Sequence, residues 1–426
     1  MRISTVQAFN NGVTGLQRNY ANVTRTQEQI STGNRILTPA DDPVASVRLL
    51  QLEQQQNVLG QYKENLTAAK NSLAQEEVSL NSANTILQRV RELAVQAGNG
   101  ALSSADRASI AAELQEREDE LLGLMNTRNA RGEYLFAGFQ GKTQPFVREA
   151  DGSYSYRGDE GQRKIQIASS LDMPISDNGK KTFVNITDAG RLQTLPAGSL
   201  PGLRVSNGLV QDEVAFSATP AFPEAGIGIR FTSPTEYVVY DVANPPTLPI
   251  SGPPFAPEIL ANGALDSDPA KQDKLVFRGV VVQFDGVPAG GEVVEVTPRL
   301  IAGQTAQKQG VLDTIATLRR SLLEAPQSPD GNLQVRDAVA LGLTNLDHAM
   351  VTLDSVRGEI GARLNIVETT QTDNEDVALV NKSVQAQLRE LDYAEALSRL
   401  SFQSIVLEAA QQSYVKISGL TLFSQL

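Results

Sequence analysis

Residues able to do chemistry are few in this chain of 426. "GFQGKTQPF" places Gly141, Lys142 and Thr143 in succession, the ending of a loop whose backbone amides and lysine cradle phosphate. That fingerprint needs a glycine five residues before Gly141, where Phe136 stands, and a following helix, which Pro145 blocks. Gly226 and Gly228 form a G-x-G without the third glycine or the βαβ setting of a dinucleotide fold. The acidic run Glu116 to Glu120 reads as the solvated face of a charged helix. His348, beside Asp347, is the sole histidine and there is no cysteine, so no multi-His or Cys metal site and no thiol nucleophile can be assembled, and His348 has no cysteine or second histidine to work with. No catalytic residues, no cofactor and no metal site are expected.

The sharpest remaining candidate is Asp41-Asp42 in "QISTGNRILTPADDPVAS". A cation there would need further oxygen ligands, which the neighbouring sequence does not supply. Helix chemistry explains the pair better. Gly33 suits the left-handed turn that ends a helix, and Pro39 forces Thr38 extended. Asp42 followed by Pro43 fits an N-cap with proline at the first helical position, its carboxylate at the positive end of the dipole. Gly33, Pro39, Asp41, Asp42 and Pro43 therefore read as a hinge between two helices.

The elements on either side follow from proline. None lies between Val44 and Gln144 and none follows Pro329, whereas 145–298 is dense in it. A proline in a helix interior costs about 3 kcal/mol, so the ends can be helical and the middle cannot. Leu52, Leu59, Leu66, Leu73, Leu80 and Leu87 recur every seven residues, with Tyr62, Ala69, Ala83 and Val90 three positions on, the mark of coiled-coil packing. A helix from about Pro43 to Ala97 follows, and Ile110, Leu114, Leu121 and Leu124 lie on a second, returning helix. Val339, Leu346, Leu353 and Ile360 repeat the spacing near the other end. These leucines, Val339 and Ile360 are the expected rod core.

Upstream, Phe9, Leu16, Val23 and Ile30 recur at seven, with Val13 and Tyr20 filling the second stripe position. The last segment carries two stripes, one of Tyr393, Leu400, Leu407 and Tyr414 and another of Leu391, Phe402, Ile405 and Ala409. With Ile417 and Leu420, these residues exceed what one partner helix can cover, which points to an interface with other subunits. Both tips are expected to be loosely ordered until assembly, because isolated helices of this size are marginal in water.

The middle reads as β. "SYSYRGDEGQRKIQI" alternates on both sides of Gly158 to Gly161 as a hairpin would, and Asn207-Gly208 is a favoured two-residue hairpin turn. Further strands are expected in "GIGIRFTSPTEYVVYDV" and "KLVFRGVVVQFDGVPAGGEVVEVTP", with a surface loop from Asn244 to Pro257. The expected fold class is α+β, a long antiparallel coiled-coil rod built from both chain ends with an inserted mainly-β domain. Residues 1–42 and 376–426 would form terminal assembly helices, 43–144 and 301–375 the rod, and 145–300 the β-rich outer domain. A net charge of -12 with no basic stripe argues against nucleic acid. No run of eighteen apolar residues is present, so no membrane insertion is expected, and "MRISTVQAFNNGVTG" lacks the apolar core of a secretory signal.

"STGNRILTPADDPVAS" resembles the segment after the first helix in bacterial flagellins and their hook-associated relatives. Pro39 and Pro43 resemble the hook-associated protein 3 family, the hook-filament junction proteins, as does "RGEYLFAGFQGKTQPF" at the exit from the first arm. "MRISTVQAF" and "YVKISGLTLFSQL" resemble the superfamily's shared ends. In the β insert, "FTSPTEYVVYD" and "GVPAGGEVVEV" resemble recurrent pieces of the family, with Glu292 where an aspartate is usual. The resemblance implies a structural subunit, secreted unfolded through the flagellar type III apparatus, and an adaptor in a helical ring of its own copies between hook-associated protein 1 and flagellin. It also implies an export chaperone at the C-terminal tip, along Leu391 to Leu426. A flagellin filament subunit is the alternative within the superfamily, and an enzyme on a helical stalk is the distant one.

Overall fold

Proline-free stretches with seven-residue apolar spacing become long helices, and the proline-rich middle becomes strands. The computed structural model describes residues 5–247, 250, 256–268, 271–301 and 303–423, with backbone alone at 5, 6, 8 and 417–423. Helices α1 (Thr5–Thr32), α2 (Pro43–Ala97) and α3 (Ser104–Met125) precede the strands, and α4 (Glu213–Ser217) is a short turn among them. Helices α5 (Val311–Glu324), α6 (Pro329–Arg389) and α7 (Tyr393–Phe423) follow. At 55 and 61 residues, α2 and α6 are several times the usual length, which only a continuous seam along each can stabilise.

Packing divides the chain into two units, one of Met1–Thr67, Gln166–Leu171 and Val367–Leu426, the other of Ala68–Ile165 and Asp172–Ile366. In the second unit α2 and α6 run antiparallel, with Arg91 donating to Asp347 at 2.8 Å. Leu73, Leu80 and Leu87 of α2 and Val339, Leu346, Leu353 and Ile360 of α6 are all buried. Each such side chain contributes roughly 1.5 to 3 kcal/mol. Helix α3 starts on a reciprocal cap, Asp106 N donating to Ser103 Oγ and Ser103 N to Asp106 Oδ2, and packs Ile110, Leu114 and Leu121 with Ile315, Leu318 and Leu322 of α5.

The β domain is two sheets around one apolar layer. Five strands pair in the order 259–264, 236–241, 227–233, 293–298, 192–196. Facing them, 280–286 pairs with 272–277 on one side and with both 203–205 and 209–210 on the other. Alternation sends Ile227, Ile229, Phe231, Val294 and Val296 from one sheet and Val280, Val282 and Phe284 from the other into the core. The Phe231 and Phe284 rings meet edge to face, 5.6 Å apart.

Two expected turns are corrected. Tyr154–Tyr156 does not pair across Gly158 to Gly161 but with Phe146–Arg148, while Lys164–Ala168 pairs with Leu171–Pro174. Gly152 at φ +80 and Asp151, accepting from Ser153 N, close the first of these hairpins. The turn at Gly158 is held elsewhere, because Asp159 Oδ1 accepts from Phe139 N as well as Gly161 N. Asn207-Gly208 is likewise no hairpin turn, since the strands on either side both pair with 280–286. Gly208 lets sheets approach, for a Cβ there would lie 2.5 Å from Val296. Half of the expected loop 244–257 lies outside the described residues, and 244–247, 250, 256 and 257 carry no strand.

Candidate assembly interface

In the first unit, α1 and α7 lie antiparallel. Phe9 and Tyr414 rings stand 5.3 Å apart at one end, Thr26 donates to Gln403 at 2.8 Å further along, and Gly33 sits against Tyr393. Val13, Leu16, Val23 and Ile30 of α1 and Leu400, Leu407 and Tyr414 of α7 are half-buried along this seam. The pairing gives each tip an apolar partner, so both are helical within one chain rather than loosely ordered. It leaves a surplus. Phe402 is 68% exposed, Ile405 65% and Tyr20 64%, and Phe9, Tyr393, Leu397 and Val415 are exposed as well. The last segment's two stripes thus divide, with 400, 407 and 414 toward α1 and 402, 405 and 409 toward solvent; Leu391 is buried. The side chains of Ile417 and Leu420 lie outside the described residues.

Below the pair, both chain ends break at one level. Gly33, at φ +70, ends α1. Arg35 N donates to Arg389 O at 2.8 Å and Leu391 N to Gly33 O at 3.0 Å, so Asn34 and Glu390 form an antiparallel bridge. Arg35 also donates to Leu388 O, and Arg389 to Asn34 Oδ1. Asp41 Oδ2 accepts from Leu37 N and Thr38 N at 2.9 and 2.8 Å, closing the loop around exposed Pro39, and Asp41 pairs with Arg25. Asp42 caps α2, accepting from Ala45 N at 3.0 Å with Pro43 first in the helix. That amide, then the Arg35 guanidinium, holds the Asp42 carboxyl below its ordinary range. Asp392 caps α7 in the same way through Ala394 N and Glu395 N. The sequence reading named the first break and missed the second, although Asp392 followed three residues later by Glu395 is a helix-start signature. Beyond the joint, Leu52 and Leu66 are buried, and half-buried Leu59 borders a cavity of about 310 Å³ with Gln56 and Lys382.

The other chemical candidates have structural partners. Lys142 and Thr143 lie in turns, and no helix follows Pro145. His348 Nδ1 donates to the Thr187 carbonyl at 2.9 Å. The acidic run departs from its expected solvated state: Glu118 is wholly buried, taking Arg148 and Arg319 at 3.0 Å each and the Tyr154 hydroxyl. Glu76 is also buried, at the place in the α2 stripe between Ala69 and Ala83 where an apolar residue belongs. It accepts from Asp177 N, while the Asp177 carboxylate is held by Arg363 at 2.8 and 3.1 Å. In the β insert, Glu292 accepts from Ala289 N at 2.9 Å, closing its turn. Among the described residues no group of acids or histidines could hold a metal ion, and no helix is long and apolar enough to cross a membrane.

Two chain ends paired as α1 and α7, long helices leading from both of them, an apolar face left uncovered and a β-rich insert define the class of protein, α+β with a helical body built from both chain ends. Residues 3–141 match the bacterial flagellin N-terminal helical region. Flagellar hook-associated protein 3 of Escherichia coli K12 is 37% identical over 187 residues, 44% of this chain and 58% of that protein's length. A crystal structure of hook-associated protein 3 from Legionella pneumophila superposes over 79% of this chain and 98% of its own, with TM-score 0.64 and 26% identity. The flagellar junction protein FlgL from the same organism gives 0.61 and 27% over 80% and 99%. Over its first third the chain is thus similar to the bacterial flagellin N-terminal helical region, and over the greater part of its fold to hook-associated protein 3, of whose curated relatives it spans a little over half the length.

Proposed function

We propose that this chain is a non-enzymatic structural subunit of the hook-filament junction, stacking in a helical ring between hook-associated protein 1 and flagellin. The observation that carries the proposal is the apolar face left on α7 after α1 has covered the opposite one: Phe402 and Ile405 are exposed on a helix already paired. Each exposed side chain of this size has roughly 1.5 to 3 kcal/mol to gain by burial, and unlike surfaces at the two ends of a subunit give head-to-tail contacts that propagate. In this reading residues 1–42 and 376–426 line the inner tube, 43–144 and 301–375 form the next layer, and 145–300 face outward. The joint from Gly33 to Pro43 sets the angle between the first two layers. The chain travels unfolded through the type III apparatus, with a chaperone over Leu391 to Leu426 shielding stripes that would otherwise aggregate. Deleting the gene tests the proposal. Cells should keep hooks and spill unpolymerised flagellin into the medium, and normal filaments in the deletion strain would refute it. A filament subunit would instead polymerise alone into long fibres when purified.

A further inference from the structure

Arg107, in the first turn of α3, is 2% exposed, and its Nε and Nη1 atoms are enclosed without a hydrogen-bond partner. It borders a cavity of about 250 Å³ between the end of α2 and the start of α6, with Gly98, Asn99, Gly100, Asn332 and Arg336. The two guanidiniums there differ. Arg336 is neutralised twice, by Asp285 at 2.8 and 2.9 Å and by Asp337 at 2.7 Å. Arg107 has no ion pair among the described residues. The carbonyl end of α2 supplies partial negative charge nearby, which offsets only part of a full buried cation.

We infer that this cavity is a carboxylate-binding site, with Arg107 as the cation that holds the ligand. A guanidinium spreads its charge over three nitrogens and matches a carboxylate in geometry, so an anion in the cavity that Arg107 lines would neutralise the whole group. The carboxylate has two sources, a small free acid or an acidic side chain of an adjoining subunit; the second rests on the junction reading above. Thermal unfolding of the full chain with citrate against chloride, at fixed ionic strength, separates them when run with Arg107→Met and Arg107→Lys. A free ligand raises the wild-type midpoint by about 2 °C at about ten times its Kd, leaves Arg107→Met unmoved and retains part of the shift in Arg107→Lys. A neighbour's carboxylate gives no citrate shift. In that case Arg107→Met, exported and as stable as wild type or more so, spills flagellin when expressed in the deletion strain, and Arg107→Lys spills less. If citrate does nothing and both variants complement fully, the cavity binds no carboxylate. Complementation by the wild-type gene tests the junction reading separately.

Discussion

Glu76 stands where the seam of α2 needs an apolar side chain, and its surroundings make it titrate unusually. Burial, with the Asp177 carboxylate second, raises its pKa from 4.5 to about 8. Between those values the folded chain keeps a proton that the unfolded chain releases, so stability falls as pH rises. The contribution of Glu76 is complete below about 4.5 and is lost as pH passes through 8. Thermal midpoints measured from about pH 5 to pH 9 should decline for the wild type. Glu76→Gln should flatten that decline, by an amount on the order of a few kcal/mol, and an unchanged slope would show Glu76 to be ionised throughout. Gly33 is the other residue with a single physical demand. Its φ of +70 and a Cβ position 2.9 Å from Tyr393 Oη leave no room for valine. Gly33→Val should cost at least about 1 to 2 kcal/mol locally. It should impair motility while near-ultraviolet dichroism of the β domain stays unchanged; a fully motile variant would show that the joint tolerates a different angle.

At the scale of elements, the two joints are caps before they are hinges. Asp392→Ala removes the acceptor for Ala394 N and Glu395 N and should cost about 1 kcal/mol. Hydrogen exchange should rise over the first turns of α7 and stay unchanged in α5; protection equal to wild type would place the stability of α7 wholly in its pairing with α1. Helix spans were readable in the sequence because their causes are local. The proline gap and the leucine spacing give α2 its bounds of Pro43–Ala97, and Asp42 its start. Pairing was less readable because partners are remote. Arg35 finds the Leu388 carbonyl 353 residues away, and Tyr154–Tyr156 pairs with an upstream strand that alternation alone does not distinguish from a downstream one. Glu118 was misread for the same reason: its charge pattern along α3 says solvent, while Arg319 and Arg148 arrive from distant elements. The exposure of Phe402 and Ile405 follows from a two-stripe pattern plus one partner helix, which periodicity does carry.

At the scale of the whole molecule, the account rests on that uncovered face being kept for neighbouring copies. The direct measurement is a Phe402→Asp, Ile405→Asp double variant expressed in the deletion strain. Both side chains are more than half exposed in the single chain, so the purified subunit should unfold within about 0.5 kcal/mol of wild type, as surface substitutions do. The exported variant should nevertheless fail to build the junction, leaving flagellin in the medium, because each aspartate would place an unpaired charge in a closed apolar contact. Hooks bearing normal filaments on the variant protein would contradict the account.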